Sequence, residues 1–154
     1  MKYIFDNFSN KVAKLVTNEY STSFSFSTRL LSKNIRPAIY SIYGLVRLAD
    51  EIVDSFHGYD KKVLLDRFKT DFRNSINDKI SLNPILNSFQ YVYHNYNFTP
   101  DLVDSFFNSM EMDLKSEVYD LKLYNKYIYG SAEVVGLMCL KVFVKGDEDL
   151  YNEL

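Results

Sequence analysis

Two aspartates with helical spacing carry the clearest chemical signal in this 154-residue chain. Asp50 and Asp54 enclose Glu51, Ile52 and Val53, and a separation of four residues places both carboxylates on one face of a helix, one turn apart. Their mutual repulsion costs about a few tenths of a kcal/mol. A divalent cation would remove that cost, and Mg²⁺ prefers such oxygen ligands together with substrate phosphates. A solvated acidic face is the alternative interpretation, since short acidic motifs are common by chance.

The residues that precede these aspartates extend the signal. Tyr43, Arg47, Asp50 and Asp54 follow one another at spacings of four, three and four, which forms a continuous polar stripe on a helix. The other faces of this helix are apolar, so the stripe must be paired or open to a polar cavity. Arg47 could bind a phosphate oxygen beside the carboxylates. It could equally form a structural salt bridge with Asp50 or Glu51.

Several further positions are candidates for binding, each with a structural alternative. Ser21 and Ser23 can cap a helix or contact phosphate. Asp113 lies between apolar neighbours and faces either inward or toward solvent. Gly130 and Gly136 interrupt a predicted helix at a cost of roughly 1 kcal/mol each, which indicates either close helix packing or room for a bulky apolar ligand.

Composition excludes some classes of protein. The net charge of −2 shows none of the basic excess of a nucleic-acid binder. Cys139 is the only cysteine, so no internal disulfide forms and we expect a reducing, cytoplasmic environment. The longest apolar run of the C-terminal third, 134–140, is far shorter than the roughly 20 residues that span a bilayer. His57 and His94 lack the spacing of a metal-ligand pair.

The elements that must position these residues are helices. Only 5 Gly and 3 Pro occur, and apolar residues recur with helical periodicity, so we predict an all-α protein. The 13 Tyr and 12 Phe indicate buried rings or a cavity that rings line. Segment 21–28 alternates like a strand but has no evident partner, so we interpret it as a helix end or an extended connection. The predicted helices cover 9–20, 34–56, 60–80, 83–93, 99–118 and 120–144, and a seventh begins at 147.

Four blocks of sequence resemble the squalene/phytoene synthases. These blocks are 21–26, 36–54, 110–114 and 127–136, and they occur in the family's order. The resemblance implies an isoprenoid-synthase-type helical bundle that condenses two prenyl diphosphates head to head, with farnesyl or geranylgeranyl diphosphate as substrate and a squalene-like or carotenoid-precursor product. It also implies Mg²⁺, or Mn²⁺, as cofactor, and NADPH only for a squalene-type product.

The resemblance also implies roles for individual residues. Asp50 and Asp54 would be the first metal-binding motif, and with Arg47 and Tyr43 they would form the catalytic group. The substrate-binding positions would be Ser21, Ser23, Phe24, Arg47, Asp113, Tyr127, Ser131, Val135 and Gly136. Of these, Arg47 and the two serines would contact diphosphate, Asp113 would lie at the polar end, and the others would line the cavity with Tyr43.

One family feature has no counterpart in the chain. The family carries a second Asp-rich motif on a later helix, and the acidic run 147–149 comes too early for it. We therefore expect residues 1–154 to be the N-terminal part of such a domain, with its first six or seven helices, inactive alone and with exposed apolar faces.

Other functions stay open at this point. The chain could be a non-catalytic piece that self-associates or binds a partner. A cyclase or chain-elongating isoprenoid enzyme would share only the acidic motif. The lipophilic substrates suggest peripheral contact with a membrane, although the sequence shows no amphipathic anchor.

Overall fold

The computed structural model describes residues 1–115 and 120–154 as helices joined by short connections. No strand occurs in these two ranges, so the predicted all-α fold is confirmed. The elements are α1 (Lys2–Tyr20), α2 (Thr22–Thr28), α3 (Arg36–Asp54), α4 (Lys61–Asp78), α5 (Pro84–Asn95), α6 (Pro100–Lys115), α7 (Leu121–Ile128), a π-helical turn (Tyr129–Glu133), α8 (Val134–Phe143) and α9 (Glu148–Glu153).

Helix α3 is the centre of the bundle. It packs against α1, α4, α5, α6 and α8, and ten of its residues are buried. This confirms a helix that is apolar on most faces, and burial of those faces supplies the main stabilisation of the fold. Its neighbours contribute large side chains to the same core, including the fully buried Phe89, Phe106 and Phe107.

Helix α1 begins earlier than predicted. The expected start near Ser9 is wrong, because the helix starts at Lys2. Ser9 is fully buried inside the helix, where its hydroxyl donates to the carbonyl oxygen of Phe5 at 2.8 Å and accepts from Asn87 Nδ2 at 3.0 Å. The hydroxyl of Ser9 therefore links α1 to α5 instead of capping a helix, and the residues before Ser9 are already helical.

Segment 21–28 is helical after its first residue. Ser21 alone is extended, with φ of −149°, and its hydroxyl accepts from the backbone N–H of Phe24 at 3.1 Å. The hydroxyl of Thr28 donates to the carbonyl oxygen of Phe24 at 2.7 Å. Strand-like alternation here has no neighbouring strand to pair with, so the backbone forms its hydrogen bonds within α2.

The predicted helix 120–144 is divided by the π-helical turn. Gly130 lies in that turn and is buried against α6, where an added Cβ would overlap the hydroxyl of Ser109 and the backbone oxygen of Ser105. Ser109 also donates to the carbonyl oxygen of Tyr127 at 3.1 Å. The missing side chain therefore lets the two helices approach closely, which is the packing explanation for this glycine.

Other helix boundaries agree with the prediction to within a few residues. Helix α3 begins at Arg36 without a side-chain cap from Asn34, and α9 is capped by Asp147, as its acidic start suggested. The predicted end of α6 at Val118 lies outside the described residues. No helix within residues 1–115 and 120–154 combines the length and apolar character needed to cross a bilayer.

The two glycines of the α7–α8 region offer a matched test of this packing. Gly130→Ala should lower the free energy of unfolding by about 2–3 kcal/mol, because backbone atoms of α6 cannot move aside. Gly136→Ala should raise it by up to about 1 kcal/mol, because no atom lies within 4 Å of the added Cβ. Urea unfolding followed by circular dichroism measures both. Equal effects of the two substitutions would contradict the close approach at Gly130.

Candidate active site

The polar stripe of α3 lies where the helix is not covered by its neighbours. Tyr43, Arg47 and Asp50 are half-buried, and Asp54 is exposed at the last turn of the helix. The structure thus places the four predicted residues along one partly open face. The burial of the rest of α3 forces its polar groups onto this face.

Two neighbours contact the guanidinium of Arg47, but one of its hydrogen-bond donors has no acceptor in the part of the chain that the structure describes. Its Nη2 lies 2.5 Å from Glu51 Oε2, and its guanidinium carbon lies 4.6 Å from the centre of the Tyr20 ring. The hydrogen bond from Arg47 lowers the pKa of Glu51. The Nε atom is buried and has no hydrogen-bond acceptor among the described residues. A buried donor without an acceptor is costly, so this site favours an additional oxygen ligand.

Asp50 belongs to a cluster of three carboxylates. Burial, together with the charge of Asp54, raises the pKa of Asp50 to about 6; Asp113 on α6 adds to the rise and Arg47 opposes it. The pKa of Asp113 is also raised, mainly by burial and further by Asp54, while a hydrogen bond from Tyr127 opposes the shift. The side chain of Asp113 is half-buried, and its charge interacts with those of Asp50 and Asp54 on the stripe. Of the two orientations predicted for Asp113, these observations favour the one toward the interior over the one toward solvent.

These carboxylates suit a divalent cation in type and charge. Asp50 and Asp54 provide hard oxygen donors whose repulsion a cation would offset. Within the described ranges, no group of three or more His, Cys, Asp or Glu side chains is arranged closely enough to enclose a metal ion. The arrangement therefore resembles the Mg²⁺ pattern of one or two carboxylates that share the ion with water and substrate phosphates.

The junction of α1 and α2 covers one end of the stripe. Ser21 turns the chain between the two helices, so that Tyr20 lies over Arg47 and Phe24 stacks on Tyr43 with ring centres 4.8 Å apart. Ser21 caps α2, which is the structural alternative considered above. Ser23 is exposed on the same short helix.

The α7–α8 side carries the remaining predicted residues. The hydroxyl of Tyr127 donates to Asp113 Oδ2 at 3.3 Å, and the hydroxyl of Ser131 donates to the carbonyl oxygen of Tyr127 at 2.8 Å. Val135 is half-buried against the core. Gly136 faces open space. Of the two explanations given for the glycines, this position fits room for a bulky apolar ligand rather than close helix packing.

Sequence reasoning missed the part that Tyr20 plays and left the partner of Arg47 undecided. The spacing of four between Arg47 and Glu51 was a usable signal for their ion pair. Nothing in the sequence indicated Tyr20, because its contact with Arg47 depends on the angle between α1 and α3. Burial raises the pKa of Cys139 to about 11, which agrees with a core thiol rather than a reactive one.

Known proteins are similar to this chain in sequence and in fold. The family model for squalene/phytoene synthase matches residues 17–153. A 4,4'-diapophytoene synthase of Staphylococcus haemolyticus (strain JCSC1435) is 23% identical over 141 residues, covering 87% of this chain and 48% of that protein. The chain thus spans about half the length of this curated relative.

Two solved structures have the same fold. The crystal structure of a dehydrosqualene synthase in complex with ligand aligns with a TM-score of 0.78 at 19% identity, over 89% of this chain and 48% of that one. Squalene synthase HpnC from Alicyclobacillus acidocaldarius aligns with a TM-score of 0.83 at 21% identity, over 97% of this chain and 56% of that one. These alignments confirm the predicted isoprenoid-synthase-type bundle.

Because the pKa of Asp50 is raised, replacing this aspartate by a neutral residue should increase the free energy of unfolding by an amount that depends on pH. The pKa of Asp50 in the folded chain, about 6, lies above the ordinary aspartate value of 3.8. Ionisation of Asp50 therefore lowers the free energy of unfolding above pH 6, and this loss disappears as the pH falls toward 4. Without divalent cations, Asp50→Asn should raise the free energy of unfolding at pH 7.5 by about 1 kcal/mol, after allowance for partial exposure. At about pH 4 the gain should be close to zero.

Urea unfolding at both pH values measures the gain. Asp71→Asn, at an exposed position on α4, serves as the control. A gain for Asp50→Asn that is the same at both pH values would contradict the cause assigned here.

Proposed function

The chain belongs to the squalene/phytoene synthase family, and on that premise we propose that it binds prenyl diphosphates for their head-to-head condensation. The observation that carries this proposal is the buried, unpartnered Nε of Arg47 beside the carboxylate cluster. An anion-binding donor next to cation-binding oxygens suits a metal-bound diphosphate.

Arg47 would contact the diphosphate directly. Its Nη2 is engaged by Glu51 and its flat face by Tyr20, so the guanidinium is fixed with Nε left to donate. Preorganised donors of this kind stabilise negative charge as it develops on a leaving diphosphate. Ser21 and Ser23, at the start of α2, would add hydroxyl donors at the same end of the site.

Asp50 and Asp54 would hold Mg²⁺, or Mn²⁺ in its place. When bound, the ion neutralises diphosphate charge and thereby assists departure of the leaving group. Asp113, positioned by Tyr127, would lie at the polar edge and contribute to the local negative potential. The elevated pKa of Asp50 reflects a cost that ion binding would offset.

Apolar residues near the stripe would accommodate the prenyl tails. The stacked rings of Phe24 and Tyr43 cover one side, while Val135 and the open space at Gly136 lie on the α7–α8 side, near Ser131. Farnesyl and geranylgeranyl diphosphate are the candidate substrates, and a carotenoid precursor or a squalene-type product would result. Only the squalene-type reaction would also require NADPH.

A non-catalytic binding role is the second candidate. It follows from the expectation that the second acidic motif of the family reaction has no counterpart in residues 1–154. In that case the chain would bind metal-bound diphosphate without turnover, or would act only together with carboxylates from elsewhere.

Calorimetric titration with inorganic pyrophosphate and with farnesyl diphosphate tests the binding site. With Mg²⁺ present, Arg47→Gln should weaken binding of both ligands at least about tenfold, since a charge-assisted hydrogen bond is lost. Asp54→Asn should weaken binding in Mg²⁺ but have little effect after chelation. The matched controls are Arg67→Gln and Asp66→Asn, both at exposed positions on α4.

Two outcomes decide between the candidate functions. Binding that all four substitutions leave unchanged would contradict the site. Where binding depends on Arg47 and Asp54, incubation with each prenyl diphosphate and Mg²⁺, followed by product extraction, separates the roles. A condensed product supports the synthase, and binding without product supports the non-catalytic role.

A further inference from the structure

A second charged feature lies on another part of the molecule, apart from the carboxylates. A pocket of about 470 Å³ opens between the outer side of α1, the connection after α2 and the start of α3. Five basic residues and no acidic residue line it: Lys11, Lys14, Arg29, Lys33 and Arg36, with Asn10, Pro37 and Tyr40 between them. We call it the basic pocket. This concentration contrasts with the chain's net charge of −2.

One of these five basic side chains, that of Arg36, holds the wall of the pocket in place, and the other four are available to a ligand. Arg36 Nε donates to the carbonyl oxygen of Leu31 at 2.9 Å, and its Nη2 donates to that of Arg29, which fixes the connection against α3. The side chains of Lys11, Lys14, Arg29 and Lys33 are exposed and make no hydrogen bond or ion pair with the described residues. Four unpaired cations that converge in this way repel one another and favour an anionic partner.

Exposed apolar side chains lie on α1 and on the connection after α2, the same segments that supply cations to the basic pocket. On α1, Ile4, Phe8 and Leu15 are 54%, 51% and 56% exposed, and on an ideal helix they lie with Lys11 within an arc of about 60°. Leu30, next to Arg29 in the chain, is 80% exposed. We call these four apolar residues the apolar row. Because α1 begins at Lys2 rather than near Ser9, its first two turns add Ile4 and Phe8 to this face.

We infer that this face binds the surface of an anionic phospholipid bilayer. The basic pocket would contact lipid phosphates, while the apolar row would insert between headgroups and acyl chains. Cations next to exposed Leu, Ile and Phe on one helix face are the pattern of interfacial binding. Each Lys or Arg near an anionic bilayer adds about 1 kcal/mol of attraction. A soluble anion would use the charges but would leave the apolar row without a role.

This inference does not depend on the proposed diphosphate chemistry. The residues that carry it lie outside the stripe of α3, and its test uses no prenyl diphosphate. Failure of one proposal therefore leaves the other standing.

Sedimentation with two kinds of vesicle tests the inference. The 154-residue chain should bind vesicles of phosphatidylcholine mixed with phosphatidylglycerol and bind pure phosphatidylcholine much more weakly, and added salt should reduce binding. The double substitution Lys11→Gln/Lys14→Gln should reduce partitioning by about thirtyfold. Lys122→Gln/Lys126→Gln removes the same charge from exposed positions on α7 and should change it little. Leu30→Ser should also weaken binding while leaving the charge unchanged.

Several outcomes would overturn the inference. Equal losses from the two double substitutions would show dependence on net charge alone. Binding of inorganic phosphate or RNA that needs Lys11 and Lys14, without vesicle binding, would assign the basic pocket to another ligand. A dimer, seen by light scattering, that Phe8→Ser dissociates without an effect on vesicle binding would assign the apolar row to a second copy. Circular dichroism confirms that each variant is folded.

Discussion

The cost of placing charged side chains on a buried helix governs the arrangement around α3. This helix is covered on most faces by five others, so Arg47 and Asp50 must be paired or lie at the partly open face. The α1–α2 junction supplies a ring over Arg47, and Glu51 supplies its counter-charge. What is left unsatisfied, a buried N–H and a group of carboxylates, is the basis of the proposed chemistry.

The packing of α6 against the π-helical turn determines the opposite side of the site. Gly130 allows the close approach, and the hydroxyl of Ser109 bonds to the backbone of Tyr127 across that contact. The hydroxyl of Tyr127 in turn reaches Asp113. A local departure from α-helical geometry thus positions a polar side chain, in line with the frequent occurrence of π-helical turns at functional sites. The next helix, α8, carries Gly136 in its first turn, where the surface is open.

Most of the fold and the core of the site could be predicted from sequence because both depend on helical periodicity. Apolar spacing predicted the helices, and spacings of three and four predicted that Tyr43, Arg47, Asp50 and Asp54 share a face. Periodicity was less informative where side chains form hydrogen bonds with the backbone. Serine is a common helix cap, yet the hydroxyl of Ser9 bonds within α1 and to α5.

Contacts between helices required the tertiary structure. The ring of Tyr20 over Arg47, the interaction of Asp113 with the acidic pair and the convergence of the basic pocket join residues from different elements. Their distances depend on how helices cross, which a one-dimensional spacing does not encode. The exposed side of α1 also required the tertiary structure. Helical periodicity gives the face on which a residue lies, but the exposure of that face depends on which neighbouring helices cover it.

By itself, the sequence determined the fold class, the family resemblance and the order of charged groups along α3, since these follow from residue type and helical repeat. Only the tertiary structure decided that Arg47 pairs with Glu51 while Nε stays without an acceptor, and that Gly130 serves packing whereas Gly136 faces open space. The physical reason is common to these cases. Pairing and burial are properties of the space between elements, and that space exists only once the helices have packed.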